Sequence, residues 1–145
     1  MNKYFIFFTF FILIIFVFIY YNNFGEIKKI CFEENCFDLE IADNKNKRDR
    51  GLMFRDSLCE NCGMLIIFEE KGNYKFWMKN TKIPLDIIWI NKNLEVIYIA
   101  EAALCVTEEC KIYNSQENSS YVLEINKGKS KDIRLEVGSK MELRI

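Results

Sequence analysis

From Ile30 to the C-terminus, apolar residues come in short runs separated by polar clusters, the spacing of many short strands joined by turns. Phe37, Leu39 and Ile41 alternate with polar residues, as in a half-buried strand, and Ile30-Cys31-Phe32 is placed to pair with it across a Glu33-Glu34-Asn35 turn. Met64 to Phe68, Tyr74 to Lys79, Leu85 to Asn91, Leu94 to Ile99, Tyr121 to Ile125 and Lys140 to Ile145 read as further strands. Asn91-Lys92-Asn93 forms a hairpin turn, and Val137-Gly138-Ser139 turns into the last strand. Asp43 or Asn44 can cap a short helix running to about Arg55, and Asn126 to Arg134 has room for one helical turn. Ala100 to Glu117 shows no period and is expected to be irregular. The pattern predicts a mainly β, compact, sandwich- or barrel-like single domain with one short helix over residues 30–145.

Tyr4 to Tyr21 breaks the pattern with 18 residues and no charge, near the lower end of a membrane-spanning length. Tyr4 at one end and Tyr20-Tyr21 at the other suit the two interfaces, and no A-x-A-like cleavage site follows. The expectation is a transmembrane signal anchor at 4–21, with 1–3 cytoplasmic, 22–29 a linker and the β domain on the extracytoplasmic side.

Phe76 to Asp86 organises the remainder. It sets a polar run, Lys79 to Lys82, between apolar segments, and it holds one of the two tryptophans and the single proline. Asp86 sits inside a strand that is apolar on both faces, where a carboxylate needs hydrogen bonds or a counter-charge. The upstream arginines are the expected source. On the predicted helix Arg48, Leu52 and Arg55 share one face, so two guanidiniums could clamp a carboxylate or phosphate, or else pair with Asp86, Glu124 or other acids of the domain.

Charge and composition narrow the chemistry. With 20 basic and 21 acidic residues there is no electrostatic footprint for nucleic acid. The absence of histidine excludes Ser-His-Asp and Cys-His catalysis and HExxH metal sites. The six cysteines fall as close pairs, Cys31/Cys36, Cys59/Cys62 and Cys105/Cys110, which beyond a membrane anchor read as local disulfides in an oxidising compartment. Cys59-Glu60-Asn61-Cys62 precedes Gly63 and a β-rich run rather than a helix, which favours a staple over a redox centre. A four-cysteine zinc site from Cys59, Cys62, Cys105 and Cys110, or copper on Met53, Met64 and Met78, is the lesser reading; no metal or cofactor is expected. Asn118-Ser119-Ser120 is a sequon relevant to a glycosylating host alone.

Arg48-x-x-Gly51-Leu52-Met53-x-Arg55, Gly63-Met64-Leu65, Phe76-Trp77-Met78-Lys79-Asn80-Thr81-x-Ile83-Pro84-Leu85-Asp86 and Tyr121-Val122-Leu123-Glu124-Ile125-Asn126-x-Gly128 occur in that order. Together they resemble the family known as domain of unknown function 192, over about residues 36–145. The resemblance implies a compact, mainly β domain, often exported or membrane-anchored, with no assigned reaction. The chain departs from it at Leu58-Cys59-Glu60-Asn61-Cys62, where relatives carry a loop such as Leu-Pro-Glu-Asn; the added cysteines speak for local stapling and against a shared cysteine chemistry.

Three functions follow as expectations. In the first, Arg48, Arg55, Lys79, Asn80 and Thr81 converge on a polar pocket beside Trp77 and hold a small anionic or hydroxyl-rich ligand. In the second, the domain is a structural or assembly partner of an envelope protein. In the third, Asp86 and Glu124 are the acid/base pair of a hydrolase or lyase.

Overall fold

A computed structural model describes residues 29–144 of the chain and, before them, Ile12 alone. The expected cytoplasmic residues 1–3, the anchor at 4–21 and the linker at 22–29 otherwise lie outside the described residues, except that Lys29 already belongs to the first strand. Among the described residues no helix is long and apolar enough to cross a membrane.

The elements are β1 (Lys29–Phe32), β2 (Asn35–Ala42), α1 (Lys45–Arg50), β3 (Cys62–Gly72), β4 (Phe76–Trp77), β5 (Leu85–Ile90), β6 (Val96–Ala102), β7 (Ile112–Tyr113), β8 (Ser119–Asn126), α2 (Lys129–Asp132) and β9 (Glu142–Arg144). Seven strands form one sheet in the order β6-β5-β8-β3-β2-β1-β9, and β4 and β7 form a separate pair. All neighbours in the large sheet are antiparallel except β2 and β3, whose parallel pairing needs the crossover that α1 and the following loop supply. The domain is thus mainly β, as the alternation predicts, but it is a single curled sheet and not two stacked ones. The curl brings the segment before β9 against the start of β6: Val96 N–H donates to Ser139 O, Gly138 N–H to Val96 O and Met141 N–H to Leu94 O.

Both faces of the sheet are covered, which explains why β5 is buried at all six positions. The inner face gathers Ile30, Phe37, Leu65, Ile88, Leu123 and Ile125 under Leu135 and Met141. The outer face carries Met64, Ile66, Ile87, Trp89 and Val122, packed under Leu52, Met78 and Ile83 from the connecting segments. Trp89, fully buried, donates from its indole nitrogen to Tyr74 O at 2.9 Å, so its one polar atom is satisfied.

Three expectations are corrected. The helix does not run to Arg55. Asn44 caps it, accepting from Lys47 N–H at 3.1 Å, but Gly51 takes φ +47° and ψ −135° and stops it after Arg50. Arg48, Leu52 and Arg55 therefore share no helical face. The strand expected at Tyr74 to Lys79 shrinks to Phe76–Trp77, because Asn80 at φ +58° turns the chain over Thr81 N–H to Met78 O. The segment 100–117 is less irregular than expected, since β6 continues to Ala102 and β7 pairs Ile112 with Trp77. The one expected turn of helix within 126–134 is present as α2. The three local disulfides are also present, with Cα separations of 4.1, 5.1 and 5.4 Å for Cys31–Cys36, Cys59–Cys62 and Cys105–Cys110.

Candidate functional site

Asp86 and Glu124 lie on adjacent strands, where Asp86 pairs with Ile125 and Ile87 with Glu124. That one-residue offset sends the two carboxylates to opposite faces of the sheet. They open on no common cleft, and the acid/base pair expected from the motifs does not assemble.

Asp86 points inward with Ile88 and is fully buried. Its partner is not an arginine. Its Oδ2 accepts from Gly128 N–H at 3.0 Å, Ser130 N–H at 2.9 Å and Ser130 Oγ–H at 2.6 Å. Asp86 therefore holds the first turn of α2, in the manner of a cap reached from another strand.

Glu124 points outward with Val122 and is also buried, yet Oε2 has no hydrogen-bond partner. Gly51 lies directly above it: a Cβ built there would sit 3.5 Å from Glu124 Oε2. Burial pushes the Glu124 carboxyl up to about 7, against the opposing pull of the Arg55 guanidinium. Arg55 stays short of pairing with it because both of its terminal nitrogens are bound to the two oxygens of Glu40. That fork holds the Glu40 carboxyl below its ordinary range, chiefly through the hydrogen bond to Arg55.

Glu124 lines an open pocket of about 640 Å³ between α1, the Gly51–Met53 turn, the end of β3 and β4. Ile66 and Leu52 lie at its apolar wall, and Phe68 and Tyr74 stack with ring centroids 3.4 Å apart. Arg48 belongs to the same wall. Its guanidinium sits 5.7 Å from the Phe68 ring centroid, and one nitrogen donates to Asp43 O and Ile67 O. Trp77 and Thr81 complete the lining on the far side, with Trp77 46% exposed.

Of the six residues expected to bind, Arg48, Trp77 and Thr81 meet at this pocket. Lys79 does not line it; its ammonium lies 5.2 Å from the centroid of the Trp77 ring. Asn80 does not line it either, and acts through its backbone, its carbonyl accepting from Phe54 N–H at 2.8 Å. Arg55 lies outside the lining, paired with Glu40. Sequence reasoning missed Gly51 as the residue that covers Glu124, and Phe68 and Tyr74 as wall; the signal available was a glycine placed between two arginines. Of the three methionines, Met64 and Met78 are buried in the core and Met53 borders the pocket.

Gly51 has little freedom to change. A φ of +47° with ψ −135° is a conformation that side chains avoid, so Gly51→Ala is expected to cost about 1–3 kcal/mol in strain. Chemical denaturation of the variant checks it, and a loss below about 0.5 kcal/mol would show that the backbone relaxes freely.

A family profile described as DUF192, Uncharacterized ACR, matches residues 28–143. No functionally curated protein matches the chain. Two solved structures resemble it. One, from Sinorhizobium meliloti 1021, is described as a candidate transcription regulator; it is 30% identical with a TM-score of 0.72, over 82% of this chain and 98% of that one. The other, a protein of unknown function from Novosphingobium aromaticivorans DSM 12444, is 30% identical with a TM-score of 0.71, over 79% of this chain and 81% of that one. The profile covers the β domain from one end to the other, and by that match the chain belongs to the DUF192 family.

Proposed function

We propose that this is a ligand-binding domain, held outside the cytoplasmic membrane by residues 4–21, which takes a small hydroxyl-rich molecule in the pocket above Glu124. The observation that carries the reading is the buried Glu124 carboxyl, whose Oε2 is unpartnered like Asp86 Oδ1 but which, unlike Asp86, stands at the wall of an open, aromatic-lined cavity and has no other protein partner. A native fold seldom leaves such a group unsatisfied unless something else meets it. Between an anionic and a hydroxyl-rich ligand, the charges favour the second. Arg48, Arg50 and Lys75 around the pocket are matched by Asp49, Glu69 and Glu70, with Glu124 in addition, so there is no cationic surplus to hold an anion. Aromatic rings beside polar groups suit the C–H face and hydroxyl rim of a sugar-like ring.

Trp77→Ala tests this directly. Titration of neutral sugars into the chain, followed by calorimetry, is expected to show affinity reduced about tenfold or more in the variant, with stability lowered by about 1–2 kcal/mol and the fold kept. Equal affinities in wild type and variant would remove Trp77 from the site.

Assembly with an envelope protein is a second reading, favoured by one feature. Trp77 and Ile112 are paired across β4 and β7 and both exposed, and the nearby Cys105–Cys110 loop carries Val106 at 89% exposure. The hydrolase reading has no such support, since Asp86 and Glu124 face apart.

A further inference from the structure

Resting on the reading of the pocket as a ligand site, we infer that its ligand is neutral and that Glu124 enters the complex as the protonated acid, hydrogen-bonded through Oε1 to a hydroxyl of the ligand.

The surroundings of Glu124 weigh against a charged ligand of either sign. An ionised carboxylate needs donors, and the chain supplies none: Oε2 is sealed beneath Gly51 with no partner, and the neighbours on the same face, Met64 on β3 and Ile87 on β5, are apolar. A ligand ammonium would supply the missing charge, but the Arg55 cation already acts on Glu124 and opposes a second cation there. An anionic ligand meets the guanidinium of Arg48 at the pocket, in a lining whose charges give no cationic surplus. Both terminal nitrogens of Arg55 are taken by Glu40, and Arg48 already spends one nitrogen on the carbonyls of Asp43 and Ile67. The remaining charged groups at the pocket are Asp49 and Arg50 from α1, Glu69 and Glu70 from β3 and Lys75 before β4. Of these, Asp49, Arg50, Glu69, Glu70 and Lys75 are all exposed, and water screens them. A protonated carboxyl in this setting is both donor and acceptor, the same pair a ligand hydroxyl presents in reverse. Filling the cavity also removes water from the carboxyl, which favours the neutral form further.

The inference separates proton movement by ligand charge. Glucose, galactose and mannose, each beside its 2-amino and uronate counterpart, are titrated into the full-length chain at pH 6 and pH 8, in buffers of different ionisation enthalpy. The neutral sugars are expected to bind best, with affinity about tenfold lower at pH 8 than at pH 6 and with proton uptake at pH 8, because the fraction of competent protein falls above about 7. Glu124→Gln keeps a neutral donor and acceptor, so it is expected to bind equally at both pH values. Tighter binding of an amino sugar with proton release, tightest binding of a uronate, or loss of neutral-sugar binding in Glu124→Gln would overturn the neutral-acid inference while leaving the pocket as a ligand site. Failure of all nine sugars to bind wild type would overturn the site and the inference together.

Discussion

Asp86→Ala is expected to remove about 3–5 kcal/mol of stability, a large share of what a domain of this size has to lose. The variant leaves three donors, Gly128 N–H, Ser130 N–H and Ser130 Oγ–H, facing a space without an acceptor. Each buried unsatisfied group costs about 1–3 kcal/mol. The first turn of α2 then has nothing to hold it, and Leu135, which covers the inner face just after that helix, loses its anchor. Asp86→Asn separates charge from hydrogen bonding. Its side-chain oxygen can still accept from the same donors, so the loss is expected to be clearly smaller than in the alanine variant. Urea unfolding of wild type, Asp86→Ala and Asp86→Asn measures this. Equal losses in the two variants would mean that the charge matters and the donors do not.

Glu124→Gln is expected to have the opposite sign at neutral pH and to stabilise the domain. The folded carboxyl titrates at about 7, against an ordinary 4.5. Between those values the folded state holds a proton that the unfolded state has released, so stability falls as pH rises. The contribution is fully present below about pH 4.5, is lost through about pH 7, and amounts to about 3 kcal/mol over the window. Glutamine carries no charge to desolvate and has no such slope. Unfolding free energies at pH 4.5, 6, 7 and 8 should therefore show the two proteins converging in acid and the variant ahead above pH 7. A wild-type curve parallel to the variant's across that range would mean that Glu124 is ionised at its ordinary pH, with donors near it. Together with Asp86→Ala, this variant distinguishes the two buried carboxylates: one holds structure and the other costs it. A group that costs stability while lining a cavity is what a binding site retains.

Much of the frame was legible in the chain. Alternation placed β2, the turn expected at Glu33-Glu34-Asn35 (found at Glu33-Glu34, with Asn35 already in β2) paired β1 with it, and close cysteine spacing marked three bridges that need no long-range information. The run Leu85 to Ile90 announced a strand covered on both sides, and the buried Asp86 within it announced a partner. Asp43 or Asn44 announced the start of α1, and Asn44 is the cap. The polar-aromatic run at 76–81 marked the region of the pocket, and Trp77 and Thr81 do line it. The end of α1 was less legible, because Arg48, Leu52 and Arg55 fit a helical period that Gly51 interrupts.

Sequence by itself determined which segments pair locally and which residues must be buried, because turns, capping and periodicity act over a few residues. Only the tertiary structure decided who meets whom. Within β5 every neighbour of Asp86 is apolar, so no alternation tells which way the carboxylate points. The register against β8 settles it, sending Asp86 to the Gly128–Ser130 turn and Glu124 to the outer face. Arg55 was free to choose among several acids, and the parallel pairing of β2 with β3 put Glu40 within its reach. The pocket exists because Gly51 turns the chain over Glu124, a contact between segments far apart in the chain, and because Phe68 stacks on Tyr74 where β3 ends. Side-chain direction and strand register are set by the packing of the whole sheet, and short-range patterns carry no record of either.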